Sequence, residues 1–269
     1  MKLAYYIKSD SLRNNASLSE MLDKLRSEGV ELIPADPGKT LEADVLLSCG
    51  GDGTFLSAAG FAAPAGIPVL GVNFGRMGFL SGNSPESVVN ALKSGCWSVE
   101  ERTMLEVGFC GGNALCLNEM SVARKGAAML GVDILVDGQP LPTYWADGLL
   151  VATSSGSTAY SMSVGGPVCA PDARVLIIAP IAPHNLNVRP LVVPDTTSVS
   201  ISLRSRDPEV RLTADNRNFT IPSDAAVLVR KAPTPLKRVV PGGDSFISAL
   251  RSRLLWGEDV RNFNEINSI

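Results

Sequence analysis

The chain has 269 residues, 45% of them apolar and 19% charged, which is enough for one large or two modest domains, each with its own core. Its 24 basic residues against 27 acidic ones give a net charge of −3, so there is no electrostatic footprint for nucleic acid or an anionic membrane. Five cysteines, an odd number and without CxxC spacing, argue against a disulfide framework or a zinc site and fit a reducing, cytoplasmic setting.

The N-terminus opens on a strand pattern, Leu3-Ala4-Tyr5-Tyr6-Ile7, where a signal peptide would show a different one. Ser17-Leu18-Ser19-Glu20 reads as a capping box opening a helix whose apolar face is Leu18, Met21, Leu22 and Leu25, closed by Gly29. A strand over 30–33 follows. A second strand over 45–49 runs directly into Gly50-Gly51-Asp52-Gly53-Thr54, with a helix expected from Thr54. Thr54 to Gly75 carries no charge and is long enough to span a bilayer, but Pro64, Gly66 and Pro68 divide it. A short apolar helix and a buried strand over 69–72 account for it better. Ser84-Pro85 then opens a helix bearing Val88, Val89 and Leu92. This βαβα order predicts an α/β domain with a parallel sheet covered on both faces, whose ligands sit at the carboxyl ends of the strands.

From about residue 99 the pattern changes. Segments 105–109, 131–136, 149–153, 175–179, 198–203 and 227–230 are short, rich in Val and Ile, and separated by turn residues. Asp137-Gly138 is a hairpin signal. An all-β, sandwich-like domain is expected here. After Pro241-Gly242-Gly243 a helix returns, with Phe246, Leu250, Leu254 and Trp256 at near-helical spacing, and is expected to pack on the first domain. The predicted division is 1–98 plus 240–269 for the α/β domain and 99–239 for the β-rich one.

The loop at 50–54 carries the chemistry. Gly50, Gly51 and Gly53 permit positive φ and close approach of a ligand to the backbone, and a helix N-terminus favours a phosphate. Asp52 opposes an anion there, so its presence calls for another reason, whether accepting a hydroxyl proton, holding Mg²⁺ or bonding a sugar. Better-known phosphate loops are excluded. Gly38-Lys39-Thr40 has Ile33 where a P-loop needs its first glycine, and Leu56 stands where a dinucleotide fingerprint needs its third. Four further clusters stand out. Gly71 to Leu80, containing Asn73, continues a strand into glycine-rich backbone at the same sheet edge. Asn118-Glu119 can share a donor and an acceptor with a ribose or base. Asp147 leads into a buried strand that ends in Ser154-Ser155-Gly156-Ser157-Thr158-Ala159-Tyr160-Ser161, where the tyrosine offers a stacking face; Ser163 follows shortly after. His184, the only histidine, has no Gly-x-Ser-x-Gly elbow to serve and reads as a loop residue.

Taken together, the motifs resemble the NAD kinase family. The resemblance lies in Gly50-Gly51-Asp52-Gly53-Thr54, Gly71–Leu80, Asn118-Glu119, Asp147-Gly148, Gly156 through Gly165-Gly166-Pro167, and the tail from Leu250 to Arg261 around Trp256-Gly257. It implies an α/β domain, a β-rich domain and a returning C-terminal helix. It also implies transfer of the γ-phosphoryl of ATP to the adenosine-ribose 2′-hydroxyl of NAD, with Mg²⁺ or another divalent metal and with Asp52 as the proton acceptor. Gly50, Gly51 and Gly53 would let the backbone approach, and with Thr54 and Asn73 they belong to the cofactor-binding set; no metal ligands are assigned. Asn118, Glu119, Asp147, Thr158, Ala159, Tyr160 and Ser163 would hold the dinucleotide, with Asn118, Glu119, Asp147 and Tyr160 converging on it. The chain departs from the family at Ser154 (usually proline), at Trp145 (usually a small or polar residue), and at Asp215-Asn216-Arg217, where an Asp-x-Gln-like turn is common and a ligand contact by Arg217 is put in question. Diacylglycerol and sphingosine kinases share the glycine loop, and a non-catalytic NAD-binding sensor is the other alternative. The partners expected are small nucleotides, with no nucleic acid and no membrane. A homodimer or homotetramer is expected through the β-rich domain, because alternating strands such as Val199-Ile201-Leu203 leave edges that only one lysine, Lys125, protects between residues 104 and 229.

Overall fold

The structure is a computed structural model that describes residues 1–75, 78–242 and 245–257. In chain order the first part holds β1 (Lys2–Ile7), α1 (Asp10–Arg13), α2 (Ala16–Ser27), β2 (Glu31–Pro34), β3 (Val45–Cys49), α3 (Asp52–Ala62), β4 (Val69–Val72), α4 (Pro85–Ser94) and β5 (Trp97–Arg102). Next come β6 (Leu105–Phe109), β7 (Gly112–Cys116), β8 (Glu119–Arg124), β9 (Leu130–Val136), β10 (Gln139–Pro140), β11 (Tyr144–Ala146) and β12 (Gly148–Thr153). A 3-10 turn (Ser155–Thr158) and the short α5 (Tyr160–Ser163) lead to β13 (Val175–Ile181), β14 (Leu191–Pro194), β15 (Val199–Arg204), β16 (Glu209–Ala214), β17 (Arg217–Pro222) and β18 (Ala226–Lys231). The chain closes with β19 (Leu236–Pro241) and α6 (Phe246–Leu254).

The first sheet has the order β2-β1-β3-β4-β19-β5. It is parallel except for β5, which runs antiparallel to β19. Alternation along the strands sends Ala4, Leu46 and Val69 to one face, against Phe55, Ala58, Ala59 and Ala62 of α3. Leu3, Val45, Leu47, Leu70 and Val72 go to the other face, against Leu18, Met21, Leu22 and Leu25 of α2 and Val88 of α4. With both faces covered, every residue of β3 and β4 is buried. The apolar stretch after the glycine loop is therefore a crossover helix and a central strand. No helix among the described residues is long and apolar enough to cross a membrane.

Two helix starts differ from expectation. Asn15, not Ser17, caps α2: its Oδ1 accepts the Leu18 N–H at 3.1 Å, and Asn is at least as good an N-cap as Ser. α3 begins at Asp52 rather than Thr54, with Gly51 as the cap whose carbonyl accepts the Thr54 and Phe55 N–H groups.

The β-rich part is a sandwich of two antiparallel sheets, β10-β9-β15-β18-β6-β7 (with β11 also pairing β9) and β14-β13-β12-β8-β16-β17. Their inner faces share one core, including Val107, Val122, Val132, Val151, Ile178, Ile201, Leu212 and Val229. β12 is buried on both faces, because Leu150 and Ala152 pack outward under Val164 and Cys169. Val199, Ile201 and Leu203 point into this core, and β15 lies between β9 and β18, so they form neither an edge nor an outer face. The apolar edge is β14, where Leu191 and Val192 are exposed.

β5 and β19 belong to the first sheet, so limits at 98/99 and 239/240 would cut two of its strands. Sheet pairing places the crossings near residues 102 and 236. The helix after β19 packs back on the first domain: the Arg253 guanidinium lies 5.5 Å over the Phe79 ring. Residues 258–261 of the sequence motif lie outside the described residues.

Candidate active site

The glycine loop leaves the carboxyl end of β3. Gly50 has φ 148°, and a Cβ there would sit 2.4 Å from Thr54 Oγ1, so both conformation and space demand glycine. At Gly51 and Gly53 a Cβ would meet nothing, so the loop's outer side is open to a ligand. Asp52 is the first residue of α3, and its carboxylate reaches across to the neighbouring loop. Oδ2 accepts the Phe79 N–H at 2.8 Å, and Oδ1 accepts those of Leu80 at 3.1 Å and Ser81 at 2.9 Å. A Cβ on Gly78 would stand 2.0 Å from Oδ1, so the 78–81 backbone is close-fitted around this side chain. Both oxygens are engaged, and one acceptor position remains on Oδ2. Asn73 braces the same loop: its Nδ2 donates to Ser81 O at 2.8 Å, and its Oδ1 accepts the Gly75 N–H at 2.6 Å. The amide thus shapes the loop. Arg76 and Met77, in the same sequence motif, lie outside the described residues.

Asn118 and Glu119 lie at the start of β8, beside the end of β12. The Thr153 N–H donates to Asn118 O at 2.8 Å, and the Thr153 hydroxyl donates to Leu117 O at 2.6 Å. Gly156 touches the Asn118 carbonyl so closely that a Cβ would fall 2.2 Å from it. The hydroxyl-rich segment is therefore no solvated loop: Ser155 and Ser157 of the 3-10 turn are buried, as is Ser154 just before it. Glu119 is largely buried; desolvation, with the Asp215 charge nearby, pushes its carboxyl up to about 8, opposed by the Tyr160 backbone N–H. Asn118 Oδ1 and Glu119 Oε2 are buried without a hydrogen-bond partner among the described residues. Two polar atoms left in this state are what a ligand would complete. Thr158 ends the 3-10 turn, Ala159 links it to α5, and Tyr160 and Ser163 bound α5 with exposed side chains.

Asp147 does not join this group. It sits opposite Arg124, bonded to its Nε at 2.6 Å, whereas Ala152 is the residue that pairs with Glu119. Five strand steps separate the two places, roughly 16 Å at the usual rise. The structure thus brings Asn118, Glu119 and the Tyr160 backbone together and leaves Asp147 apart from them. His184 is exposed in the loop after β13.

The two parts of the site are joined by the turn between β16 and β17. Asp215 accepts N–H groups from residues 117–119, and Asn216 Nδ2 donates to Gly53 O at 2.9 Å. On the other side of the 79–81 loop, a cleft of about 420 Å³ opens between the domains, lined among others by Phe79, Arg102, Ser155, Thr158 and Arg253. There Arg102 and Arg238 share one oxygen of Glu100, whose carboxyl the two guanidinium groups hold below its usual range against burial.

Family models match both halves of the chain: the ATP-NAD kinase N-terminal domain over residues 30–95 and the ATP-NAD kinase C-terminal domain over 117–241. The chain belongs to the NAD kinase family. It is 38% identical over 230 residues to the NAD kinase of Flavobacterium psychrophilum, covering 81% of this chain and 78% of that one. With the NAD kinase of Bacteroides fragilis it shares 35% identity over 265 residues, 95% of this chain and 86% of the relative. Among solved structures, an NAD kinase from Archaeoglobus fulgidus in complex with ATP aligns with TM-score 0.74 and 27% identity, covering 88% of this chain and 93% of that one. Yeast NADH kinase complexed with NADH aligns with TM-score 0.86 at 20% identity, over 96% and 89%, a likeness of fold. For this NAD kinase family member, the sequence motifs missed Asp215 and Asn216 as parts of the site. Their only signal was a turn pattern, and their partners lie far away along the chain.

A divalent metal was also expected. Among the described residues no group of three or more His, Cys, Asp or Glu side chains is placed to hold a metal ion. An ion such as Mg²⁺ is ordinarily held mainly by a substrate's phosphates with one or two carboxylates.

Proposed function

We propose that the protein phosphorylates the 2′-hydroxyl of the adenosine ribose of NAD⁺ with the γ-phosphoryl of ATP, giving NADP⁺ and ADP. The observation that carries this is the placement of Asp52. It is a carboxylate fixed by three backbone N–H groups at the mouth of an open glycine loop, and that loop is tied through one turn to the ligand-ready Asn118–Glu119 pair. The hydroxyl oxygen bonds to the γ-phosphorus as the bond from that phosphorus to the β–γ bridging oxygen breaks. The hydroxyl proton passes to the remaining acceptor position of Asp52 Oδ2. Phosphoryl transfer asks the protein for alignment and charge balance more than covalent help. Gly51 and Gly53 let the phosphates reach the N-terminus of α3, and Thr54 stands in its first turn. Mg²⁺, when bound, neutralises the donor's phosphate oxygens. Asn118, Glu119, Thr158, Ala159, Tyr160 and Ser163 would hold the dinucleotide.

The assembly proposed is a homodimer or homotetramer through the β-rich domain, in the cytoplasm. Exposed Trp145, Leu186, Leu191 and Val192 gather near the β14 edge, and Trp145 bonds Asn185 of the β13–β14 loop. Contact there would bring Asp147, two residues from Trp145, towards a neighbouring copy and give it a route into a site that its own chain does not offer.

The test is purified protein with ATP, Mg²⁺ and NAD⁺, reading NADP⁺ with an NADP-specific dehydrogenase. NAD⁺ binding without NADP⁺ formation would make the protein a sensor. Phosphorylation of diacylglycerol or sphingosine instead would make it a lipid kinase.

A further inference from the structure

The turn joining β16 to β17 contacts both halves of the site through adjacent residues. Asp215 stands at its tip with φ 51°, a left-handed conformation that Asp adopts more readily than most other non-glycine residues. Its Oδ2 accepts the Leu117 N–H at 2.8 Å, and its Oδ1 accepts those of Asn118 at 2.9 Å and Glu119 at 3.2 Å. Its own N–H donates to Glu119 O at 2.9 Å. Four hydrogen bonds from one residue thus enclose the backbone that presents Asn118 and Glu119. Asn216 reaches the opposite way: its Nδ2 donates to Gly53 O at 2.9 Å and to Ser57 Oγ at 3.0 Å, both on α3. Arg217 Nη2 donates to Leu115 O and pins the turn to β7.

We propose that this turn is a positioning device for the phosphoryl transfer, in which Asp215 fixes the dinucleotide-holding pair Asn118–Glu119 and Asn216 sets that pair's distance from the Asp52 loop. The proposal rests on the reading of the site as an NAD⁺ kinase. An apolar residue in its place would leave three backbone N–H groups without this acceptor, so the carboxylate holds residues 117–119 in one arrangement. Here burial pushes the Asp215 carboxyl up to about 6, and the three N–H groups counter it. What such a group supplies is direction, since each N–H is held to one point in space. Alignment is what this reaction needs: a displacement of about 1 Å can cost a factor on the order of 10² in rate.

A turn that served only to join two strands would behave differently from a positioning device, and two variants separate them. Asp215→Asn keeps the size and the turn but sets an amide N–H against one of the three backbone donors. Its KM for NAD⁺ should rise roughly tenfold while its KM for ATP stays within about twofold. Asn216→Ala removes a mostly solvent-facing side chain, so the melting temperature should hold while kcat falls about tenfold with little change in either KM. An unchanged KM for NAD⁺ in Asp215→Asn overturns the first half of the proposal, and an unchanged kcat in Asn216→Ala overturns the second. Losses in both variants that follow only the folded fraction make the turn merely structural. If Asp215→Asn does not fold, Asp215→Glu takes its place, with the same KM split expected and the same result overturning it. If the wild type makes no NADP⁺, the kinase reading has failed, and calorimetric NAD⁺ affinity of wild type against Asp215→Asn still decides the role of Asp215.

Discussion

Asp52→Asn separates catalysis from architecture, because the carboxylate does both. On the sequence alone this change would leave the fold untouched. The structure adds a cost. An asparagine can keep Oδ1 towards Leu80 and Ser81, but its amide nitrogen then faces the Phe79 N–H, which Oδ2 accepted at 2.8 Å. One hydrogen bond to a charged group is lost and one donor is left opposed, at about 1.5–3 kcal/mol. For a chain of this size, where each kcal/mol moves Tm by about 2–4 °C, the melting temperature should fall by roughly 3–12 °C. Assayed well below that Tm, kcat should fall by about 10²–10⁴, the range for a positioned proton acceptor. The measurement is kcat from NADP⁺ formation at saturating ATP and NAD⁺, with Tm followed by calorimetry. A variant that loses Tm as expected yet keeps more than about a third of its kcat would refute the general-base role and leave Asp52 as a loop anchor.

Glu119→Gln tests the buried carboxyl. Its pKa is raised from 4.5 to about 8 in the fold, so the folded state binds more protons than the unfolded one between these values, and wild-type stability declines as pH rises across that window. Gln does not titrate, so the stability of the variant relative to wild type should grow from pH 5 to pH 8 and then level off; Asp215 titrates with the same sign in both proteins, and a difference constant with pH would contradict the assignment. At the β14 edge, Val192→Lys should shift light-scattering mass towards the 28.3 kDa monomer. Wild-type protein already at that mass at micromolar concentration would remove the proposed assembly.

Much of the first domain was legible because its information is local. The spacing of Leu18, Met21, Leu22 and Leu25 marks one face of a helix, and all four are buried. Strand 45–49 followed by glycines fixes where the loop must lie. The hydroxyl-rich segment was visible as a unit, but its burial was not: that depends on Gly156 meeting Asn118, a contact between segments far apart along the chain. Asn15 in place of Ser17 as helix cap shows the usual limit of local reading, since both residue types suit the position and packing chooses.

By itself the sequence determined the layout of an α/β unit, a β-rich unit and a returning helix, and it named Asp52 within the glycine loop. Apolar periodicity and glycine punctuation are short-range signals, and they survive without a partner. Tertiary structure alone decided the rest. It placed β5 and β19 in the first sheet, turned Val199, Ile201 and Leu203 inward, and set Asp147 at the far end of its strand from Glu119. It also brought the 215–216 turn against both Asn118–Glu119 and Gly53. Each of these depends on strand register or on pairing between distant segments. A strand's own residues state that it will pair and which face is apolar; they do not state with which neighbour, and a site built across such pairings exists only once the sheets have formed.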